Sequence, residues 1–276
     1  MVPITWAGIR IVIASMLWST IGVASLYGGD VVLVSLIRTI TASTISALFV
    51  RSRSKASIIA GSVLGALFFS YLISVLLAGV GPAAYLLYTA PLWSSLIAIK
   101  YGERLSKYSV ISISLIIASI ALMVLESTLY GTLTAIGITS GLISGIIYGV
   151  YISITRYYSV KGLDKEVSLG AIPYTLVSVL PASIICYTLG RVEFKHLGNS
   201  LIAGIYLAIF CTIIPYRLFS IGAKYLSAST SAVLASVEPV FACMWDYVIF
   251  SKVPSAPLVI AYALITLASI IASTRK

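Results

Sequence analysis

Charge is what this chain lacks most. Charged residues make up 9% of it and hydrophobic ones 60%, with a mean hydropathy of +1.09. A soluble domain carries about 25% charged and about 45–50% apolar residues. No soluble fold of this size hides so much apolar surface, so most of its surroundings must be lipid. There is a single histidine, His196, in the charged stretch Arg191 to His196. That position suits a solvated loop, and one histidine cannot support a cluster for metal or acid–base chemistry. The eight acidic residues form no carboxylate pair inside an apolar run, which argues against a membrane-embedded enzyme. The three cysteines, Cys186, Cys211 and Cys243, lie in apolar stretches without CxxC spacing. They read as packing residues, and neither a disulfide framework nor a zinc site is expected. A glycine-rich nucleotide-binding loop is also missing, which removes ATP as a direct energy source. No cofactor is implied.

What remains is apolar runs of membrane-crossing length. A spanning helix needs about 20 such residues. Ten segments fit: 7–27, 31–50, 57–78, 83–100, 108–125, 132–155, 167–189, 200–220, 229–249 and 256–273. The first, running from Ile11 to about Leu26 after Arg10, is longer than a signal-peptide core and has a counterpart later in the chain. It reads as a spanning helix. Gly79, Gly81 and Pro82 supply the break before the fourth segment. The linkers are short and leave no room for a soluble domain. The expected fold is an all-α integral membrane protein.

The net charge of +10 could suggest nucleic acid, but the basic residues are scattered through short loops and form no single basic face. They serve as topology signals. With the N-terminus inside, thirteen Lys and Arg fall on the cytoplasmic side: Arg10, Arg51, Arg53, Lys55, Lys100, Arg104, Lys107, Arg156, Lys161, Lys165, Lys224, Arg275 and Lys276. Three, Arg191, Lys195 and Lys252, fall outside. This bias puts both termini of the multi-pass chain in the cytoplasm.

Two stretches resemble each other. AAYLLYTAPLWSSLIAIKYGER, 83–104, has Pro91 near its middle; SAVLASVEPVFACMWDYVIFSK, 231–252, has Pro239. Ile59-Ala60-Gly61 opens the third segment and Ile202-Ala203-Gly204 the eighth, and Trp18 of the first corresponds to Tyr148 of the sixth. The chain therefore divides into two five-helix copies, 1–126 and 127–276. Five is odd, so the second copy enters the membrane from the opposite side. Such inverted repeats suit secondary transporters, whose sites lie near the midplane between the halves.

The carrying motifs are Tyr101-Gly102-Glu103-Arg104-Leu105-Ser106 after the fourth segment and Glu238-Pro239-Val240-Phe241-Ala242 in the ninth. In this order they resemble the EamA type of the drug/metabolite transporter superfamily, over nearly the whole chain. That resemblance implies ten helices in a five-plus-five inverted repeat, transport of a small metabolite across the cytoplasmic (plasma) membrane, and a central cavity built partly from the fourth and ninth helices. There is one departure. The second copy would close on Gly-Glu, but Phe250 and Ser251 stand there, followed by Lys252. Glu103 therefore has no counterpart in the second copy.

Charge inside a bilayer costs about 2.5–3.5 kcal/mol on insertion scales, so intramembrane charge points to function. Glu238 lies about 14 Å from the inner end of its helix if that helix begins at Ser229, near the midplane. It directly precedes Pro239, whose ring frees a carbonyl one turn back. It suits a substrate amine, a coupling proton or an arginine partner. Arg38, about 10 Å from the outer end of the second helix, suits a substrate carboxylate or phosphate, or else snorkels to the headgroups. Arg217 reads as snorkelling inward and Asp246 as wet, near the outer end. Tyr27, Tyr101, Tyr108 and Tyr130 suit the interfacial belt. Tyr88, three residues before Pro91, joins Trp18 and Tyr148 as candidates for an aromatic pocket, with core packing as the alternative. Trp93 should face elsewhere. Pro91 and Pro239 are the candidate hinges. Gly137, Gly141, Gly145 and Gly149 recur every four residues and let a neighbouring backbone approach.

The expectation is a secondary transporter working by alternating access on an amino acid or similar zwitterion, with protons as a possible coupling ion. A passive channel, or an exporter of sugars or hydrophobic drugs, is the alternative.

Overall fold

A computed structural model of the chain describes residues 4–99, 107–130, 134–225, 234–235 and 237–273. The closing motif of the fourth segment, Lys100–Ser106, lies outside these residues, as does most of the stretch before Val237. The described residues are helical almost throughout. In chain order the helices are α1 (Ile4–Trp18), α2 (Ile21–Gly28), α3 (Val31–Phe49), α4 (Lys55–Ala78), α5 (Val80–Leu87), α6 (Ala90–Ile99), α7 (Lys107–Tyr130) and α8 (Ala135–Val160). They continue as α9 (Asp164–Val167), a 3-10 segment Leu169–Thr175, α10 (Leu176–Thr188), α11 (Leu197–Ala208), a π segment Ile209–Ile213, α12 (Ile214–Tyr225), α13 (Val237–Phe250) and α14 (Ala256–Ser273).

Among the described residues, six helical runs are long and apolar enough to cross a membrane on their own: Trp6–Gly28, Val31–Phe49, Lys55–Ala78, Ala135–Ser159, Asp164–Thr188 and Phe194–Tyr225. The expected fourth span is broken into α5 and α6, and only the second part of the ninth is described, as α13. Several boundaries differ from the hydropathy reading for local reasons. Thr134 caps α8 by accepting from Gly137 N at 3.0 Å, so that helix starts three residues late and runs to Val160. Gly79 at φ +94° ends α4 in a conformation that L side chains avoid, and α5 starts at once, with Pro82 in its first turn. The eighth run extends to Tyr225, through Lys224.

The outer surface is the reverse of a soluble protein's. Large apolar side chains face outward, with Leu48 at 76% and Phe49 at 71% exposure. The interior mixes apolar side chains such as Leu64, Leu72 and Leu86 with buried hydroxyls, among them Ser15, Ser35, Thr39, Ser46, Ser74, Ser144 and Thr212. Lipid tails already satisfy apolar surface, so helices here associate through close packing and internal hydrogen bonds. Ser46 donates to Leu169 O, and Ser74 donates to Gly137 O at 2.9 Å.

Helix pairing places the broken segments at the centre. α4 packs along α8, α12 on α1, α11 on α3, the 3-10 segment on α4, and α14 on α7. α13 lies against α5 and α1. Asp246 of α13 accepts from Gly81 N of α5 at 2.9 Å. It is buried at 7% exposure, not wet as its place near a helix end suggested, because the open N-terminal turn of α5 supplies a donor that hydropathy cannot reveal. Asp246→Ala is expected to lower stability by about 1–3 kcal/mol, the cost of an orphaned buried donor. Asp246→Asn, which retains an acceptor, should lose less when both are compared by thermal unfolding.

Candidate substrate site

Three irregular stretches meet in the middle of the bundle, beside Glu238 of α13. α1 gives way to α2 at Ser19–Thr20, and α5 to α6 at Tyr88–Thr89. The eighth run widens into its π segment. Proline accounts for the last two. Pro91 stands in the first turn of α6, where a missing N–H does least harm. Pro215 follows the π segment and withholds a donor from the carbonyl of Cys211.

That carbonyl is taken by Arg38. Its Nη2 donates to Cys211 O at 3.2 Å, and its Nε donates to Thr212 Oγ1 at 2.8 Å. The guanidinium lies 3.6 Å from the centroid of Phe68, a cation–π contact. Arg38 is 1% exposed, so it does not snorkel; the π segment draws it inward. Its Nη1 group has no hydrogen-bond partner among the described residues. Arg38→Ala should cost about 1–3 kcal/mol for the acceptors left bare. In a Pro215→Ala background, residue 215 can donate to Cys211 itself, so the same substitution should cost less. A double-mutant cycle by thermal unfolding checks this; strictly additive effects would refute the link.

Glu238 faces the other break. Tyr88 Oη donates to its Oε2 at 2.8 Å, while Oε1 has no partner among the described residues. The carboxylate is 2% exposed. No ion pair joins it to an arginine among the described residues; the ion pairs there run from Arg217 and Lys224 to Asp164, at 3.1 and 3.7 Å. Arg217 is thus tied to the segment after α8 and does not reach for headgroups.

Between Arg38 and Glu238 lies a cavity, lined also by Trp18, Ile21, Leu67, Phe68, Tyr71, Leu87, Tyr148 and Tyr216. Its volume is about 20 Å³, room for about one water. Tyr216 packs on Trp18 with centroids 5.0 Å apart and on Phe68 at 6.1 Å; Tyr88 meets Tyr148 edge-on at 6.1 Å. Trp18 Nε1 is enclosed and has no acceptor among the described residues. The site therefore presents a cation, a carboxylate oxygen and an indole donor, all incompletely bonded, within aromatic walls.

Residues 135–274 match the family of EamA-like transporters. The chain belongs to that family. An Archaeoglobus fulgidus relative described as an uncharacterized transporter is 28% identical over 203 residues, which is 74% of this chain and 70% of the relative. A crystal structure described only as that of a protein superposes with a TM-score of 0.63 and 23% identity, covering 96% of each chain; it speaks to the fold alone. This EamA-like chain is a multi-pass membrane transporter, and its family is one of transporters, not enzymes.

Of the residues singled out in the transporter's sequence, Trp18, Arg38, Tyr148 and Glu238 line one cavity, and Tyr88 bonds the glutamate. Trp93 lies apart, donating to Thr89 Oγ1 at 3.0 Å. Gly137, Gly141, Gly145 and Gly149 all face the α4–α6 stretch: a β-carbon would meet Leu77 and Ala78 at the first, Leu86 and Ser74 at the second, Leu86 O at the third and Ala90 O at the fourth. The glycine face of α8 thus lies directly over the break at Tyr88–Thr89. Phe68, Tyr71 and Tyr216 were not singled out. Tyr216 carried a signal, since it follows Pro215; Phe68 and Tyr71 carried none.

Proposed function

We propose that this protein is a secondary transporter that moves a small zwitterion of amino-acid type by alternating access. One observation carries the reading: a guanidinium and a carboxylate line the same cavity, each with unused hydrogen-bonding capacity and not paired with each other. Arg38 suits a substrate carboxylate and Glu238 a substrate amine. Glu238 takes either that amine or a coupling proton. The aromatic walls suit the apolar part of the guest. As it stands the cavity is too narrow for an amino acid, so the halves must separate on one side to load it. That favours a carrier over an open pore.

The moving parts are two inverted five-helix copies, 1–126 and 127–276, with Pro91 and Pro239 at the hinges. Contacts that map onto one another under exchange of the copies support this. α4 on α8 answers to the eighth run on α1, and α3 on α11 answers to the 3-10 segment on α4. Gly61 abuts Ala171 and Tyr174, while Gly204, its counterpart, abuts Ile37 and Arg38. With the Lys and Arg bias, both termini are cytoplasmic.

Thermal-shift screening of the purified protein against amino acids, sugars and apolar cations tests the substrate class. Stabilisation by a zwitterion, lost in Arg38→Lys and in Glu238→Gln, is the expected result. Stabilisation by a sugar or an apolar cation alone would overturn it. Single cysteines at Lys107 and Ser255, in a background without the native three, should label from opposite sides of the membrane.

A further inference from the structure

We propose that the buried hydroxyl face of α8 is a hydrated path along which protons reach Glu238 from the end of the bundle holding Asp164, Arg217 and Lys224. The inference rests on Glu238 being the group that takes up the proton.

Tyr148, Tyr151, Thr155 and Ser159 follow one another at steps of three, four and four residues, and so share one side of α8. At 1.5 Å per residue, Ser159 lies about 16 Å beyond Tyr148 along the axis, roughly half a hydrocarbon core. All four are buried. The upper end of the face joins the substrate cavity: Tyr148 lines it with Glu238, and its ring meets that of Tyr88, the hydrogen-bond donor to Glu238. One turn on, Tyr151 packs edge-on against Tyr216 at 5.7 Å and donates to Val167 O at 3.3 Å. The lower end approaches α9, where Asp164 sits with its two cations.

The decisive feature is the state of the two lower hydroxyls. Elsewhere on α8, Thr139, Ser144 and Ser153 bond back to carbonyls of their own helix, at 2.8, 2.6 and 2.9 Å. Thr155 and Ser159 do not. Their oxygens are enclosed; Ser159 Oγ has no partner among the described residues, and Thr155 Oγ1 meets only the neighbouring Tyr151 hydroxyl, too loosely for a well-formed hydrogen bond. A buried hydroxyl without a partner is costly, and in native proteins such groups are met by ordered water. Water beside Thr155 and Ser159 would extend a line of hydroxyls from Tyr151 to the Asp164 end. Each oxygen in such a line accepts a proton on one side and releases one on the other. No member changes its charge; one proton leaves bulk water and one arrives at Glu238, where Oε1 is unbonded.

Other groups near Glu238 bear on its titration. Tyr88 ends α5, Tyr71 comes from α4, Tyr148 from α8, Tyr216 from α12, and Arg38 from α3. Cys211 lies in the π segment bonded to Arg38, and Asp246 stands two turns further along α13. None belongs to the Thr155–Ser159 stretch, so that stretch can be altered without touching the carboxyl's own surroundings.

The test follows hydrogen–deuterium exchange at the Glu238 carboxyl by infrared spectroscopy, using the full-length protein in detergent and mildly acidic buffer. Glu238→Gln identifies the carboxyl band by removing it. After rapid mixing into heavy water, the wild-type band should shift quickly. In Thr155→Val/Ser159→Ala it should appear at the same frequency but exchange about tenfold more slowly, the scale of one hydrogen bond lost from the path. Ser153→Ala, on another face, should exchange as the wild type. Wild-type exchange in the double variant, with the band still lost in Glu238→Gln, would overturn the path and leave Glu238 as carrier. A band unaffected by Glu238→Gln would remove the carrier and the path together. Should the double variant not fold, Ser159→Ala alone carries the comparison.

Discussion

Glu238→Gln should reduce affinity for an amine-bearing substrate by about 10- to 100-fold, the equivalent of losing a charge-assisted hydrogen bond of about 1.5–3 kcal/mol. The amide keeps the shape of the side chain and can still accept from Tyr88 Oη, so the break between α5 and α6 stays closed around it. Folding should therefore survive. Thermal stability without substrate is expected to hold or rise, because a carboxylate at 2% exposure is a charge withheld from water. The separation of these two effects is the point. A residue kept only for structure would lose stability when changed; a binding residue loses affinity and leaves stability intact. In proteoliposomes the same variant should lose the pH dependence of uptake. Unchanged uptake with unchanged pH dependence would dismiss Glu238 from both roles.

Gly145→Ala and Gly149→Ala should each cost about 1–3 kcal/mol, the range for overpacking a tight contact. At Gly149 the new carbon would sit 2.8 Å from Ala90 O and 3.0 Å from Ser94 N. At Gly145 it would lie 2.6 Å from Leu86 O. These obstacles are backbone and cannot rotate away. Relief requires α8 to lift off the broken helix, which would also disturb Tyr88 and, through it, Glu238. The two variants should therefore lose substrate response as well as several degrees in melting temperature. Gly198→Ala is the control, since nothing stands within 4 Å of its added carbon. Equal behaviour of all three would mean that the close approach of α8 to the break has no energetic weight.

Much of this was legible before any coordinates. Hydropathy located the spans, and rare charge pointed to Glu238 and Arg38. The repeated proline singled out the fourth and ninth segments. Partnerships were harder to read. Arg38 could be taken as snorkelling because its acceptor, the Cys211 carbonyl, is set free by Pro215, which lies 177 residues further along. The relation was available, since any proline within a helix leaves the carbonyl four residues earlier without a donor. Asp246 misled for a different reason. Position along one helix predicts depth, but not whether another helix end offers it an N–H. Phe68 and Tyr71 lie in an evenly apolar helix whose faces look alike in sequence, and only packing distinguishes the side that meets Arg38.

The apolar outer surface also shapes the calorimetry. Heat capacity rises on unfolding chiefly when apolar groups become hydrated. Here large apolar side chains already lie on the outer surface, among hydrocarbon chains, and the buried ones would pass to hydrocarbon and not to water if the helices came apart inside a micelle. The unfolding enthalpy should therefore vary little with temperature, and the stability curve should be nearly straight, without the cold-side downturn of a water-soluble domain.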